Sequence, residues 1–142
     1  VRVTLPSLTP EGLDQVTDAA LRAAGLSTRK IEYARGLALA TQTGTLLIDQ
    51  LSGLEDAQVI EHITRLRGFG VWSAEIYCLF SLGRPDIFPA DDLALQIALA
   101  RLKGLEVKPT PKAARALTQH WQPYRSAGAL FLWHYYHEIP KV

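Results

Sequence analysis

The stretch Leu66-Arg67-Gly68-Phe69-Gly70-Val71-Trp72-Ser73-Ala74 decides the reading of this chain. Two glycines, one residue apart, separate two segments of helical period. Glycine permits positive φ and lets another backbone approach closely. A tight turn that opens into a helix leaves the first N–H groups of that helix unpaired and pointing outward. This makes an anion site that needs no net positive charge. Phosphate is the natural ligand, Arg65 and Arg67 stand ready to add charge, and Phe69 is expected to tuck inward and anchor the turn. On these residues alone a plain helix–turn–helix connection stays open, because Gly-x-Gly is common.

Outward from this hairpin the period is helical nearly throughout. Thr9-Pro10-Glu11 starts a helix: a Thr cap, Pro in the first turn and an acid at the positive end of the dipole. Leu13, Val16, Ala20, Leu21 and Ala24 follow on one face, and Gly25 stops it. Ser27 or Thr28 opens a second helix, with Ile31, Ala34, Leu37 and Ala38 inward and Gly44 at its close. A third is expected over Leu54–Leu66 with Ala57, Ile60, Ile63 and Leu66 inward, and a fourth over Val71–Leu82. A fifth follows Asp91 or Asp92 and carries Leu93, Leu95, Ile97 and Leu99. A sixth runs from Thr110-Pro111 to about Trp121, and a seventh from Pro123 to about His137. Val1–Leu5 is the one candidate extended segment. The expectation is a compact all-α, multi-helix domain over residues 1–142.

The 142 residues suffice for a domain with a real core, and 48% are apolar, which argues against disorder. No apolar run reaches membrane-spanning length, so no membrane partner is expected. The single cysteine, Cys78, sits among apolar residues and reads as a small core hydrophobe. One cysteine supplies neither an internal disulfide nor an iron–sulfur cluster. A net charge of +1 is a weak nucleic-acid footprint, so any grip on DNA must come largely from backbone donors.

Downstream of the hairpin, Phe88-Pro89-Ala90-Asp91-Asp92-Leu93 places two adjacent carboxylates at a helix N-terminus. One can cap the helix, and the dipole favours both as anions. On local grounds they are a cap and a first-turn acid.

Taken together, these features resemble the helix-hairpin-helix (HhH-GPD) superfamily of DNA glycosylases. The 3-methyladenine DNA glycosylase II branch is the nearest. The hairpin string, the loop Gly83-Arg84-Pro85-Asp86-Ile87-Phe88-Pro89-Ala90-Asp91-Asp92 and Trp121-Gln122-Pro123-Tyr124-Arg125-Ser126 with Trp133 carry the likeness, in that order. It runs from about Leu8 to His137. It implies base-excision DNA repair: hydrolysis of the N-glycosidic bond of alkylated purines in duplex DNA. Asp92, the second acid of the pair, is the implied catalytic residue, and Asp91 is then read as the cap. One carboxylate suffices where the leaving base is already cationic, by stabilising an oxocarbenium ion or activating water. Lyase-type relatives carry a Lys where this chain has Trp72, so a monofunctional glycosylase without lyase activity is expected.

The resemblance further implies that Arg67, Gly68, Phe69, Gly70 and Val71 grip the phosphodiester backbone. It also implies a Na+ or K+ at the carbonyls of Thr64, Leu66 and Phe69, with no other cofactor. A flipped alkylated base needs electron-rich aromatic faces. Trp72 and Trp133 are the first candidates and Tyr77 a weaker one, with core packing the competing role for each. The branch often has Tyr four residues after the hairpin Trp; here that position is Ile76. Arg125 is expected to hold the loop as a salt bridge. His62, His120, His134 and His137 show no metal spacing. The family carries helices before the segment beginning at Leu8, so the chain is expected to be a fragment lacking them. A monomer is expected, located in the bacterial cytoplasm with the nucleoid, or in the nucleus of a eukaryote. The competing readings are a non-catalytic hairpin module that docks on DNA, and a helical protein-interaction domain.

Overall fold

The computed structural model describes residues 5–140, and every regular element among them is helical. The extended segment anticipated over Val1–Leu5 falls almost wholly outside the described residues. No helix among the described residues is long and apolar enough to cross a membrane. One compact unit is anticipated from the sequence; the helices gather into two, which part between Phe69 and Gly70.

The first unit holds α1 (Pro10–Asp14), α2 (Asp18–Ala23), α3 (Thr28–Gln42), α4 (Ile48–Leu51) and α5 (Asp56–Thr64). Thr9 and Ser27 cap α1 and α3 through their side chains, accepting from Gly12 and Lys30. The single first helix anticipated from Thr9 to Ala24 is in fact two. Thr17 caps α2 by accepting from the Ala20 N–H, and that cap ends α1 early. The carbonyls freed by the break do not go unpaired: Arg35 of α3 donates to Leu13 O at 2.9 Å and Val16 O at 2.6 Å, and pairs with Asp18 at 2.8 Å. Leu13, Leu21, Ile31 and Ala38 form the core against which these three helices pack. The short α4 is not apparent in the sequence, for it has no side-chain cap. Along α5 the buried face is Val59 and Ile63, while Ala57, expected inward, is exposed. The helix covers Asp56–Thr64 rather than Leu54–Leu66.

The second unit holds α6 (Val71–Ile76), α7 (Leu93–Lys103), α8 (Pro111–Thr118) and α9 (Arg125–Glu138). The helix anticipated to Leu82 changes form on the way: α6 runs into a π-turn over Tyr77–Ser81, closed by the Leu82 N–H donating to Tyr77 O at 3.1 Å. Thr110 caps α8, and a 3-10 turn extends it through Trp121. α7 packs on α9 and α8. Leu95, Ala98 and Leu99 of α7 and Ala129 and Leu132 of α9 are buried, while Leu93 at the head of α7 is exposed. Cys78 is buried, as a small core residue should be. Gly128 lies where a Cβ would collide with the Trp121 ring, so α9 and the 3-10 turn approach at backbone distance.

Candidate active site

The site is built on the loop between the π-turn and α7, and the structure fastens that loop at nearly every step. The Arg125 guanidinium forks onto Asp86, Nε to Oδ1 at 2.8 Å and Nη2 to Oδ2 at 2.9 Å, and the Arg125 N–H adds a third bond at 3.1 Å. This hydrogen bonding holds the Asp86 carboxyl below its ordinary pKa, against the opposing effect of burial. Arg125 thus holds the loop as a salt bridge, the role expected of it. Next to it, the Ser126 hydroxyl donates to Arg84 O at 2.6 Å and accepts from the Ile87 N–H at 2.9 Å, while the Ser126 N–H donates to Pro85 O at 3.0 Å. The buried Gln96 donates to Ala90 O at 2.6 Å. The loop is thereby made a rigid lead-in to α7.

At its end stands Asp92. Its backbone is extended, and its Oδ1 accepts the Leu95 N–H at 3.0 Å, which makes it the N-cap of α7. The reading of Asp91 as the cap is therefore corrected: the cap is Asp92, and Asp91 instead faces Arg115 at 3.6 Å. The reason is dihedral and local, since only the residue with extended φ/ψ immediately before the first helical turn can fold its side chain back onto the third N–H.

Two indoles converge on the same carboxylate. Trp72, in the first turn of α6, donates Nε1–H to Oδ2 at 2.9 Å, and Trp133 on α9 donates Nε1–H to Oδ1 at 3.2 Å. Three of the sequence-predicted residues are thus brought together. A carboxylate offers about four acceptor positions, and three N–H donors occupy three of them here. The remaining one is left for another partner. Trp72 is 45% exposed. Trp133 carries Phe80 stacked on it, ring centroids 5.5 Å apart. Tyr77 starts the π-turn half-buried and is not among the donors to Asp92.

Phe80 was not singled out in the sequence. Phe80 lies inside the π-turn, where the extra residue takes side chains off the α period, so helical counting misplaces it. The aromatic pair had no local trace. Nor did the pairing of Glu75 with Arg115. Glu75 of α6 is 3% exposed, and Arg115 of α8 forks onto it at 2.8 and 3.2 Å while donating to Phe88 O at 3.2 Å. Glu75 beside it makes the Arg115 guanidinium hold its proton still more tightly.

Gly68 has φ +90°, and a Cβ there would run into the Tyr33 ring, so both the turn and the close approach demand glycine. Gly70 differs: it is extended, at φ −92° and ψ −175°, as N-cap of α6, and nothing lies within 4 Å of where its Cβ would be. Phe69 is half-buried rather than fully tucked in, and Val71 is 43% exposed. Arg67 is exposed and paired with Glu32 at 2.8 Å. The Leu66 carbonyl accepts the Phe69 N–H at 3.2 Å, which uses one of its two lone pairs. Neutral carbonyl oxygens such as those of Thr64, Leu66 and Phe69 suit a hard monovalent cation in donor type. Among the described residues no cluster of three or more His, Cys, Asp or Glu could hold a metal ion.

Comparison with known proteins agrees with this architecture. Residues 2–123 match the model of the HhH-GPD superfamily of base excision DNA repair proteins. DNA-3-methyladenine glycosylase 1 of Schizosaccharomyces pombe is 33% identical over 126 residues, covering 88% of this chain and 55% of the relative. The structure of that yeast's 3-methyladenine DNA glycosylase Mag1, in complex with abasic DNA, superimposes with a TM-score of 0.82 at 34% identity, covering 88% of this chain and 61% of the other. A DNA-3-methyladenine glycosidase from Bacillus halodurans gives a TM-score of 0.78 at 38% identity, over 90% of this chain and 59% of the other. The chain spans about half the length of the curated relatives it matches, 43% and 55% of two of them. With the hairpin, the fastened loop and the Asp at the head of α7 in family order, this chain belongs to the HhH-GPD superfamily of base excision DNA repair proteins.

Proposed function

We propose that this chain carries the catalytic helices of a monofunctional DNA glycosylase that hydrolyses the N-glycosidic bond of alkylated purines in duplex DNA. The observation that carries the reading is the Asp92 carboxylate, held by its own helix cap and by two indole N–H groups on different helices. Such fixing is costly to build for a cap alone, for which one N–H suffices. It gives a carboxylate whose direction does not change as charge develops nearby, which is what electrostatic stabilisation of a transition state requires.

In the reaction, the C1′–N bond breaks and its electron pair leaves with the cationic base, which departs neutral. Asp92 faces the oxocarbenium-like sugar through its remaining lone pair and orients a water. Water adds at C1′, and its proton passes to the carboxylate and on to solvent. No amine stands in the first turn of α6, where Trp72 lies, to attack the sugar and form an imine. Trp72, Trp133 and Tyr77 hold the flipped base; the exposure of Trp72 and the Phe80-backed ring of Trp133 support this.

Arg67, Gly68, Phe69, Gly70 and Val71 grip the phosphodiester. The open space at Gly70 and the exposure of Arg67 support that part. A Na+ or K+ would be held by the carbonyls of Thr64, Leu66 and Phe69 and would add positive charge beside the phosphate. The acting unit is a monomer on damaged double-stranded DNA, wherever the cell keeps that DNA.

The test is release of free methylated bases from methylated duplex DNA by the full-length protein, with abasic sites formed but no strand nicking. Absence of base release by the folded wild-type protein overturns the reading. Salt-dependent duplex binding that is lost in Gly68→Val and Gly70→Val supports the hairpin assignment; unchanged binding removes it.

A further inference from the structure

The Asp92–Trp72 hydrogen bond joins the first turn of α6 to the end of the loop before α7. Its 2.9 Å length depends on how far those two elements stand apart. One guanidinium spans the same gap. Arg115 forks onto Glu75, one turn along α6 from Trp72, at 2.8 and 3.2 Å. With the same nitrogens it donates to Phe88 O in the loop at 3.2 Å and faces Asp91 at 3.6 Å. Glu75 is an acid with 3% of its surface exposed. A buried carboxylate with no partner is strongly disfavoured, so burial of Glu75 obliges Arg115 to stay where it is. The planar fork in turn restricts the guanidinium to one plane and one direction.

We propose that Arg115 is a positioning residue that, with Glu75 as its buried anchor, sets the distance between Trp72 and Asp92 and so aims the Asp92 carboxylate. A plain salt bridge needs only one partner. This guanidinium instead touches both sides of the seam that the Trp72–Asp92 bond crosses, and it touches the loop through Phe88 O and through Asp91, the residue adjacent to Asp92. Arg rather than Lys is required, because a point charge on a flexible stem cannot hold Glu75 and Phe88 O in a fixed mutual geometry.

The inference rests on the proposed role of Asp92 for its effect on rate, and not for its effect on geometry. Its test therefore has two arms. The chain has three tryptophans, so a nitrogen–proton correlation spectrum gives three indole resonances, and Trp72→Phe assigns that of Trp72. In Arg115→Lys the Trp72 indole resonance should move toward that of an unbonded indole and exchange faster with water. The Trp133 resonance should stay near its wild-type place, since the polar partners of Arg115 are Glu75, Phe88 O and Asp91, on α6 and the loop. The double variant Glu75→Gln/Arg115→Met removes both charges and leaves no orphaned carboxylate, so it keeps the fold if the Lys variant does not. It should show the same selective change.

In the activity arm, kcat for base release should fall about tenfold with KM within about twofold, the pattern of a misaimed group in a correctly assembled site. An unmoved Trp72 resonance in a folded variant overturns the inference, and so does movement of all three indoles together, which would signal general loosening. Absence of base release by the wild-type protein would count against the glycosylase reading alone, with the resonances still deciding the positioning role.

Discussion

Asp92 caps α7 and accepts two indole N–H groups in this structure, and the proposed function adds a catalytic charge to the same carboxylate; substitution can pull these roles apart. In Asp92→Asn one oxygen remains. Kept at the Oδ1 position it still accepts from Leu95 and Trp133, and the amide nitrogen then faces the Trp72 N–H. The cap survives, since Asn caps as well as Asp. What is lost is one hydrogen bond to a charged acceptor, in general about 1.5–3 kcal/mol. Trp72 is 45% exposed, so its freed N–H finds water, and the net loss falls to about 1 kcal/mol. For a chain of this size that lowers Tm by about 3 °C. Asp92→Ala loses the cap and both indole bonds, together about 3 kcal/mol. The chemistry follows another scale: removing a fixed charge from the transition state costs about 10² or more in rate. Single-turnover base release from methylated duplex DNA, measured beside thermal unfolding, reads both quantities. Asn should be nearly as stable as the wild type and nearly inactive. A folded Asn variant that keeps more than about a tenth of the wild-type rate would refute the catalytic assignment. An Asn variant destabilised as much as the Ala variant would refute the hydrogen-bond partition.

Three further outcomes are expected. Because Arg125 lowers the Asp86 pKa, wild type should exceed Arg125→Met in stability at neutral pH by about 1 kcal/mol after solvent screening. That margin is present above the ordinary carboxylate pKa near 4 and is lost as pH falls through the lowered value of Asp86, which unfolding curves from pH 7 to pH 2 would reveal. Gly68→Ala should destabilise by about 2 kcal/mol or more, since it must hold φ +90° and drive a methyl into Tyr33; equal stability by denaturant titration would contradict the turn geometry. Glu32→Gln releases Arg67 from its 2.8 Å ion pair and should tighten duplex binding a few-fold at low salt, whereas Arg67→Ala should reduce the salt slope by about one. Fluorescence-anisotropy titrations across salt concentrations measure both.

Much of this protein was legible where its physics is local. Thr9 and Thr110 cap their helices as expected, and of Ser27 and Thr28 it is Ser27 that caps, because a cap is a contract between residues three apart. The hairpin glycines and the acid pair were visible for the same reason, and the motif order carried the family. Local reading failed where two local solutions compete. Thr17 can continue a helix or cap a new one, and the break was decided by Arg35, seventeen or more residues away, taking up the freed carbonyls. Asp91 reads as the cap from the sequence, and only the extended backbone of Asp92 gives the role to its neighbour.

By itself, then, the sequence determined the helical class, the hairpin, the loop and an acid pair at the head of a helix. Each of those rests on period, turn chemistry or residue order. Only the tertiary structure decided that Asp92 is at once a cap and the meeting point of Trp72 and Trp133, which lie 20 and 41 residues from it. It alone paired Glu75 with Arg115 forty residues on and laid Phe80, within the π-turn, against Trp133. The physical reason is one of range. Hydrogen bonds between side chains on different helices depend on where the helices pack, and packing is set by the whole buried surface rather than by any neighbouring residues.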